Sequence, residues 1–230
     1  MCYSPEADLV AGLVVGAAGI DALRHVDDRR DLALAAVPLV LAAHQLIEAV
    51  GWWGLQDRVP EAAGTIAIAA YLVIAMGVVP GFVPYAVMRT ERSPTRRRVM
   101  VPFVALGVGV GIVLLVALSN GPYSASIGGR YIAYEATLRW GGAVGAAYVI
   151  AVCTPLLLST HRRIALFGVV NVPAVLGLAF LLSAGFISLW CVWAAVSSLI
   201  VTRHIRGLSA RRFVDRSAVT ADGRIGLWRR

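Results

Sequence analysis

Four side chains that could perform chemistry share one helical face inside an apolar stretch of the chain. His44 and Glu48 are four residues apart, Trp52 follows four residues later, and Gln45 lies at the edge of the same stripe. An ionisable group at membrane depth costs about 2.5 kcal/mol or more and normally faces the interior of a bundle or a water-filled cavity. The stripe within residues 37–53 therefore predicts a functional site.

Cys2 adds a third type of ligand near the start of the chain. A thiolate, an imidazole and a carboxylate together suit zinc or another borderline transition metal. The sequence therefore predicts a metal site formed by Cys2, His44 and Glu48. Two simpler interpretations stay open. Glu48 could be a protonated group that bonds to Gln45 or to a neighbouring helix, and His44 could be an interior histidine with satisfied hydrogen bonds.

Aromatic and polar residues elsewhere in the chain are expected to reach the same site. Tyr134 lies in the longest connection of the chain, and we expect it to join His44 and Glu48 as a catalytic group. Cys2 and Cys191 are predicted to lie close together in the outer third of the protein, where a disulfide can form. The other side chains expected to line one outward-facing cavity are Gln45, Trp52, Tyr131, Trp190 and Cys191.

Composition places the chain in the membrane class. Of its 230 residues, 59% are hydrophobic and only 15% are charged, which is too apolar for a soluble domain of this size. The net charge of +8 does not indicate a nucleic-acid partner, because the basic residues lie in short loops and a tail beside apolar segments. The chain contains no lysine, so it cannot hold retinal as a Schiff base.

Hydropathy predicts an all-α integral membrane protein, built as a seven-transmembrane helix bundle. An α-helix needs about 20 predominantly apolar residues to cross the hydrocarbon core of a bilayer. From residue 164 to residue 203 the chain is apolar over about twice that length, and a break at residues 183–185 divides it into two spans. The predicted spans are residues 7–23, 32–55, 62–88, 99–118, 138–158, 164–182 and 186–201.

The distribution of arginine predicts the orientation of the bundle. Of the 21 basic residues, all arginine, eighteen lie in the connections after spans one, three and five and in the C-terminal tail; the other three are Arg58, Arg130 and Arg139. Because basic residues accumulate in cytoplasmic loops, we expect the N-terminus outside and the C-terminus in the cytoplasm. The predicted domains are the bundle, residues 1–205, and an arginine-rich cytoplasmic tail, residues 206–230. The protein is expected in the cell membrane as a multi-pass protein, with the lipid bilayer as its partner.

Prolines, glycines and a few polar residues predict local features of the spans. Pro80 and Pro84 should kink the third span, and neighbouring groups or water must then satisfy the carbonyl groups that lose their donors. Asp21 and Arg24 are three residues apart and are expected to pair. Asn171 is expected to have a satisfied amide in span six. The glycines expected to allow close helix packing are Gly12, Gly16, Gly19, Gly107, Gly109 and Gly111.

Four short motifs resemble those of a broad family of uncharacterised bacterial multi-pass membrane proteins. The motifs are Met1-Cys2-Tyr3-Ser4, His44-Gln45-x-x-Glu48, Tyr131-x-x-Tyr134 and Ser188-Leu189-Trp190-Cys191. Proteins of that family typically begin Met-Cys-Phe-Ser and carry Gln-Gln-x-x-Glu-Gly-x-x-Trp in the second span. The resemblance covers nearly the whole chain and implies the same multi-pass fold. Because His44 stands where those proteins have glutamine, the resemblance also implies that Glu48 is the more important of the two residues.

Two functions fit this sequence. In the first, the outward-facing cavity binds a metal ion or a small amphiphile. In the second, the protein is an integral membrane enzyme that acts on a lipid or isoprenoid substrate with Glu48 as general acid. Small membrane terpene cyclases share the size and span count, although no matching acidic residue is present in span seven. A transporter ranks third, because neither an inverted repeat nor paired broken helices are evident.

Overall fold

Helices make up most of the chain in the computed structural model, which describes residues 4–128, 131–136, 140–181, 193 and 195–210. Along the chain the elements are α1 (Pro5–Arg24), α2 (Leu32–Leu55), α3 (Glu61–Leu72), α4 (Val79–Thr90), α5 (Pro94–Asn120), β1 (Tyr123–Ile127), β2 (Ile132–Ala136), α6 (Gly141–Leu158) and α7 (Arg162–Leu181). A π-helical turn, Val73–Val78, joins α3 to α4. Residues 195–210 form a last helical segment.

Among the described residues, four helical units are long and apolar enough to cross a membrane. By length and composition they are α2, the continuous unit Glu61–Thr90, α5 and α6. Their bounds agree with predicted spans two to five, and α2 coincides with residues 32–55. Helices α1 and α7 overlap predicted spans one and six. Of predicted span seven, residues 186–192 and 194 lie outside the described part, and the last helical segment continues beyond the predicted end at residue 201.

Helices α1 and α2 pack closely as an antiparallel pair. A Cβ at Gly12 would lie 2.7 Å from the Leu46 side chain, and a Cβ at Gly19 would lie 2.7 Å from the Leu39 side chain. Both glycines therefore let the two helices approach, as predicted. The buried residues of α1 follow one stripe that includes these glycines, so the face of α1 that meets α2 is well defined.

Two glycines on α5 allow contact with the backbone of the π-helical turn and α4. A Cβ at Gly107 would overlap the carbonyl oxygen of Pro80, and a Cβ at Gly111 would lie 2.6 Å from the carbonyl oxygen of Gly77. The prediction for Gly109 is wrong, because a Cβ there would meet no described atom within 4 Å. Residues two apart on a helix do not share a face, so Gly109 points away from the helix that Gly107 and Gly111 contact.

The π-helical turn lies directly before Pro80 and leaves a carbonyl group that another helix satisfies. In a π-helix the carbonyl of residue i bonds to the N–H of residue i+5. The partner of the Ala75 carbonyl would then be the nitrogen of Pro80, which carries no hydrogen. The hydroxyl of Tyr148 on α6 donates to the Ala75 oxygen instead, at 2.9 Å. A neighbouring group thus satisfies the freed carbonyl, as the sequence predicted.

We expect Tyr148→Phe to lower the free energy of unfolding by about 0.5–1.5 kcal/mol, because it removes a hydrogen bond to a half-buried acceptor. The measurement is the thermal unfolding midpoint of the purified protein in detergent. Tyr85→Phe is the matched control. It removes the same hydroxyl group from a tyrosine that is 40% exposed, so no buried hydrogen bond is lost. Equal midpoints for the two variants would show that this hydrogen bond contributes nothing.

The connection between α5 and α6 forms an antiparallel β-hairpin, which the all-α prediction did not include. Strands β1 and β2 pair from Tyr123 opposite Ala136 to Ile127 opposite Ile132. Gly128 begins the turn, and its N–H donates to the carbonyl oxygen of Tyr131 at 2.9 Å. Ile132 is only 1% exposed, so the hairpin packs against the helices and carries β2 into the bundle.

The last helical segment packs along α1. The Thr202 hydroxyl donates to the carbonyl oxygen of Ala18 at 3.0 Å. The Arg206 guanidinium donates two 2.6 Å hydrogen bonds to the Asp21 carboxylate. Asp21 therefore pairs with Arg206, and the predicted pair with Arg24 is wrong. The reason is that the last helix extends past residue 201 and brings a second arginine to this carboxylate.

The main apolar core lies towards the arginine-rich end of the bundle. It is formed by side chains from α1, α2, α4, α5, α6, α7 and the last helical segment, including Ala22, Leu34, Ala86, Met100, Leu156, Ile164 and Ile205. The buried polar residues of α2 lie nearer the other end of that helix. The main apolar core and the buried polar stripe of α2 thus lie towards opposite ends of the bundle, and the stripe contains the candidate site.

Candidate functional site

Three aromatic rings from three separate elements are stacked in a column. The His44 imidazole on α2 lies over the Tyr71 ring on α3, with centroids 3.9 Å apart and an interplanar angle of 18°. Tyr71 stacks in turn on Tyr134 of β2, at 4.8 Å and 15°. Each stacked pair contributes about 0.5–1.5 kcal/mol beyond the burial of its area. The structure thus brings His44 and Tyr134 into one cluster through Tyr71, which the sequence analysis missed.

The polar stripe of α2 is enclosed beside this column. His44 is 5% exposed, Trp52 is 2% exposed, and Gln45 and Glu48 are fully buried. Within the described part of the chain, neither His44 Nε2 nor Trp52 Nε1 has a hydrogen-bond partner. A buried polar atom without a partner costs about 1–3 kcal/mol. These two nitrogen atoms are therefore places where a bound molecule, or residues beyond the described part, can contribute a hydrogen bond.

A second buried carboxyl group, Asp8 on α1, lies at the level of this stripe. Asp8 is fully buried and belongs to the α1 face that packs on α2. Gly12 lies opposite Leu46, and the antiparallel register of the two helices then places Asp8 within about one turn of Glu48. The sequence analysis missed Asp8. Its position could have been inferred from the sequence, because Asp8 lies four residues before Gly12 and residues four apart share one helical face.

A model of the family of unknown function DUF6629 matches residues 1–216 of the chain. The chain belongs to the DUF6629 family. No curated protein and no solved structure matches it. All candidate site residues lie within the matched region. Because membership of the DUF6629 family assigns no activity, the function has to be inferred from the arrangement of these residues.

Of the remaining site residues predicted for this DUF6629 protein, Tyr131 is described by the structure and is not part of the ring column. Tyr131 lies at the hairpin turn, where a Cβ at Gly128 would be 2.9 Å from its ring. It therefore supports the turn. Cys2, Trp190 and Cys191 lie outside the described residues. The proximity of Cys2 to Cys191 and the disulfide between them stay predictions.

A metal site in this DUF6629 protein would require residues beyond the described part. Among the described residues, no group of three His, Cys, Asp or Glu side chains could hold a metal ion. His44 and Glu48 supply an imidazole and a carboxyl group, which suit zinc, but two protein ligands are fewer than a zinc site uses. Cys2, the predicted third ligand, is the residue on which this hypothesis depends.

Cys153 has a structural environment. It is buried on α6, and its sulfur accepts a 3.2 Å hydrogen bond from Nδ2 of Asn171 on α7. The Asn171 oxygen accepts a hydrogen bond from the indole N–H of Trp193. The amide of Asn171 is therefore satisfied on both sides, as the sequence predicted, and it holds α6, α7 and Trp193 together.

A second polar cluster, also missed by the sequence analysis, lies at the arginine-rich end. Glu91 directly follows α4 and is only 2% exposed. Its Oε1 accepts hydrogen bonds from the Ser93 N–H (3.0 Å) and the Thr160 hydroxyl (2.7 Å), and its Oε2 accepts one from the Thr160 N–H (2.8 Å). His161 lies edge-on to His204, with centroids 4.9 Å apart. Glu91 thus ties the α4–α5 connection to the α6–α7 connection.

Proposed function

We propose that this chain is a seven-span membrane protein, with its N-terminus outside and its C-terminus in the cytoplasm, that binds a small amphiphile in its outer half. The eighteen arginines on one side, against three on the other, support the orientation. With this orientation α2 runs outward. Glu48 then lies eight residues before Gln56, or about 12 Å below the outer end of the helix.

The observation that carries this proposal is the enclosed stripe beside the ring column. Flat aromatic rings and a few directional polar groups are the usual composition of a small-molecule site. The Tyr134 ring, which is half-buried at the end of the column, offers apolar contact to the body of the ligand. The polar end of the ligand supplies an acceptor for the Trp52 N–H and a hydrogen bond to Nε2 of His44. These two nitrogen atoms lack partners among the described residues. Glu48 then distinguishes ligands that donate a hydrogen bond from those that do not.

Glu48→Gln tests this proposal. Glutamine keeps the size of glutamate and one acceptor, but removes the acidic group. We expect the variant to fold with an unchanged unfolding midpoint and to lose its bound small molecule at least about tenfold, since a hydrogen bond to a charged group is worth about 1.5–3 kcal/mol. The measurements are thermal unfolding and mass spectrometry of small molecules extracted from the purified protein.

Glu61→Gln is the matched control, because Glu61 is exposed in the first turn of α3 and undergoes the same chemical change. Equal ligand content in the two variants would contradict the proposal. A Glu48→Gln protein that fails to fold would identify Glu48 as a structural residue. If the wild-type protein contains stoichiometric zinc and Cys2→Ala loses it, the amphiphile hypothesis is wrong. The metal site of Cys2, His44 and Glu48 would then be the better description.

The buried pair Asp8 and Glu48 favours a second candidate function. Two carboxyl groups in one enclosed site are the usual means of combined acid and base catalysis. In this alternative the protein is an integral membrane enzyme for a lipid or isoprenoid substrate, with Glu48 as the general acid and Asp8 as the second carboxyl group. Asp8→Asn would then abolish turnover while leaving ligand retention intact, which distinguishes an enzyme from a binding protein.

A further inference from the structure

A groove of about 800 Å³ runs between α7 and the last helical segment, residues 195–210. Its walls are apolar over most of its length, and the outward parts of the walls are exposed: Leu166 by 53% and Val170 by 54%. Three arginines, Arg163, Arg203 and Arg206, line one end. The apolar side chains that line the rest are Leu166, Phe167, Val170, Trp193, Val196 and Ile200.

The apolar wall extends over most of the depth of one leaflet of a bilayer. From Ala195 to Arg203 the last helical segment rises about 12 Å at 1.5 Å per residue. The hydrocarbon core of a bilayer is about 30 Å thick, so one leaflet accounts for about 15 Å. An acyl chain that extends from the arginines along this wall would therefore lie against apolar side chains over most of the depth of that leaflet.

The three arginines differ in what they already bind. Arg206 is held by Asp21 through two hydrogen bonds. Arg163 donates one hydrogen bond to the carbonyl oxygen of Arg203 at 2.7 Å, and Gly207 leaves the space for this, since a Cβ there would lie 2.8 Å from Arg163 Nη1. The Arg203 side chain is exposed and has no partner among the described residues. Arg163 is thus oriented in advance, and Arg203 has all its donors available.

We propose that this groove binds one anionic phospholipid, with an acyl chain along the apolar wall and the headgroup phosphate on Arg163 and Arg203. Guanidinium groups bind phosphate oxygens through paired, charge-assisted hydrogen bonds. Basic pockets between membrane helices at the cytoplasmic surface are suited to anionic headgroups. The site lies at the opposite end of the bundle from His44 and Glu48 and does not depend on the ligand proposed there.

The test titrates the full-length protein in detergent with phosphatidylglycerol and with phosphatidylcholine of the same acyl chains, followed by native mass spectrometry. We expect phosphatidylglycerol to bind more tightly. Arg203→Gln should weaken phosphatidylglycerol binding about fivefold, since a basic residue near a membrane surface contributes about 1 kcal/mol. It should leave phosphatidylcholine binding unchanged. Val170→Trp should weaken both lipids, because the indole fills the groove.

Two variants serve as controls. Arg29→Gln removes an exposed arginine from the same end of the bundle, and Ile112→Trp adds an indole to an exposed position of α5. Both should leave the two affinities unchanged. Equal affinity for the two lipids, or equal losses for Arg29→Gln and Arg203→Gln, would overturn the proposal. If glycerol phosphate competes with the affinity of the intact lipid, the acyl chain contributes nothing and the proposal fails. It also fails if the protein is a dimer that Val170→Trp dissociates, because a second copy of the chain then occupies the groove.

Discussion

Gly107→Ala is expected to lower the free energy of unfolding by about 3 kcal/mol, the upper end of the usual cost of overpacking. The new Cβ would overlap the carbonyl oxygen of Pro80. That atom belongs to the backbone of α4 and cannot rotate away, so α5 and α4 would have to separate. For a chain of this size the unfolding midpoint should fall by about 6–12 °C. Thermal unfolding in detergent measures it.

Gly109→Ala on the same helix is the matched control. A Cβ there would meet no described atom within 4 Å. Alanine also favours a helix over glycine by about 1 kcal/mol, so this variant should be at least as stable as the wild-type protein. If Gly107→Ala and Gly109→Ala unfold at the same temperature, the close contact between α5 and Pro80 does not exist in the folded protein.

Glu91→Gln is the second variant for which we expect a large effect, a loss of about 2–3 kcal/mol, because it breaks charge-assisted hydrogen bonds. In the wild-type protein, N–H and O–H donors of Ser93 and Thr160 face the two carboxylate oxygens. The amide of glutamine would replace one of these oxygens by an NH2 group, so that donor would face donor. The two connections that Glu91 joins should then separate and become accessible to protease before the helices unfold. Glu61→Gln, at an exposed position, should show neither effect.

Acid should weaken the same contact. Burial raises the pKa of Glu91, but the hydrogen bonds from Thr160 and Ser93 and the nearby His161 outweigh it, so the pKa lies below its ordinary value of 4.5. A carboxyl group whose pKa is lowered by folding stabilises the protein above the pKa of the unfolded chain. This stabilisation is lost as the pH falls through the lower pKa of the folded chain. Below pH 4.5 the wild-type protein should therefore lose more stability than Glu91→Gln; parallel curves would contradict this.

The apolar segments of the sequence predicted where the helices lie. They did not predict which side chains form ion pairs or which strands pair. Predicted span two coincides with α2, because length and composition decide where a helix can cross a membrane. The partner of Asp21 was not predictable in the same way. Arg24 is close in sequence, but Arg206 reaches Asp21 only through the packing of the last helix on α1. The hairpin was missed because the turn residues at 120–122 and 128–129 dominate this connection, although β1 alternates apolar and polar residues as a strand does.

Candidate site residues were identified where their chemistry was unusual for their surroundings. His44 and Glu48 stood out because ionisable groups are rare at membrane depth. Tyr71 did not, since a tyrosine in an apolar helix is ordinary, and only the tertiary structure places it between His44 and Tyr134. Glu91 was missed for a related reason. It lies beside a basic loop, where a carboxylate resembles any solvated charge until Thr160 is seen to enclose it.

The ring column also has a consequence for how the protein is made. Its three members come from α2, α3 and β2, and Tyr134 follows Tyr71 by 63 residues in the chain. At a synthesis rate of about 5–20 residues per second, Tyr134 is added to the chain about 3–13 s after Tyr71. During that interval the stripe of α2 lacks the hairpin that later packs beside it. Transiently exposed surface of this kind makes a partly folded chain prone to aggregation, so the time until the hairpin is translated is the period of greatest risk.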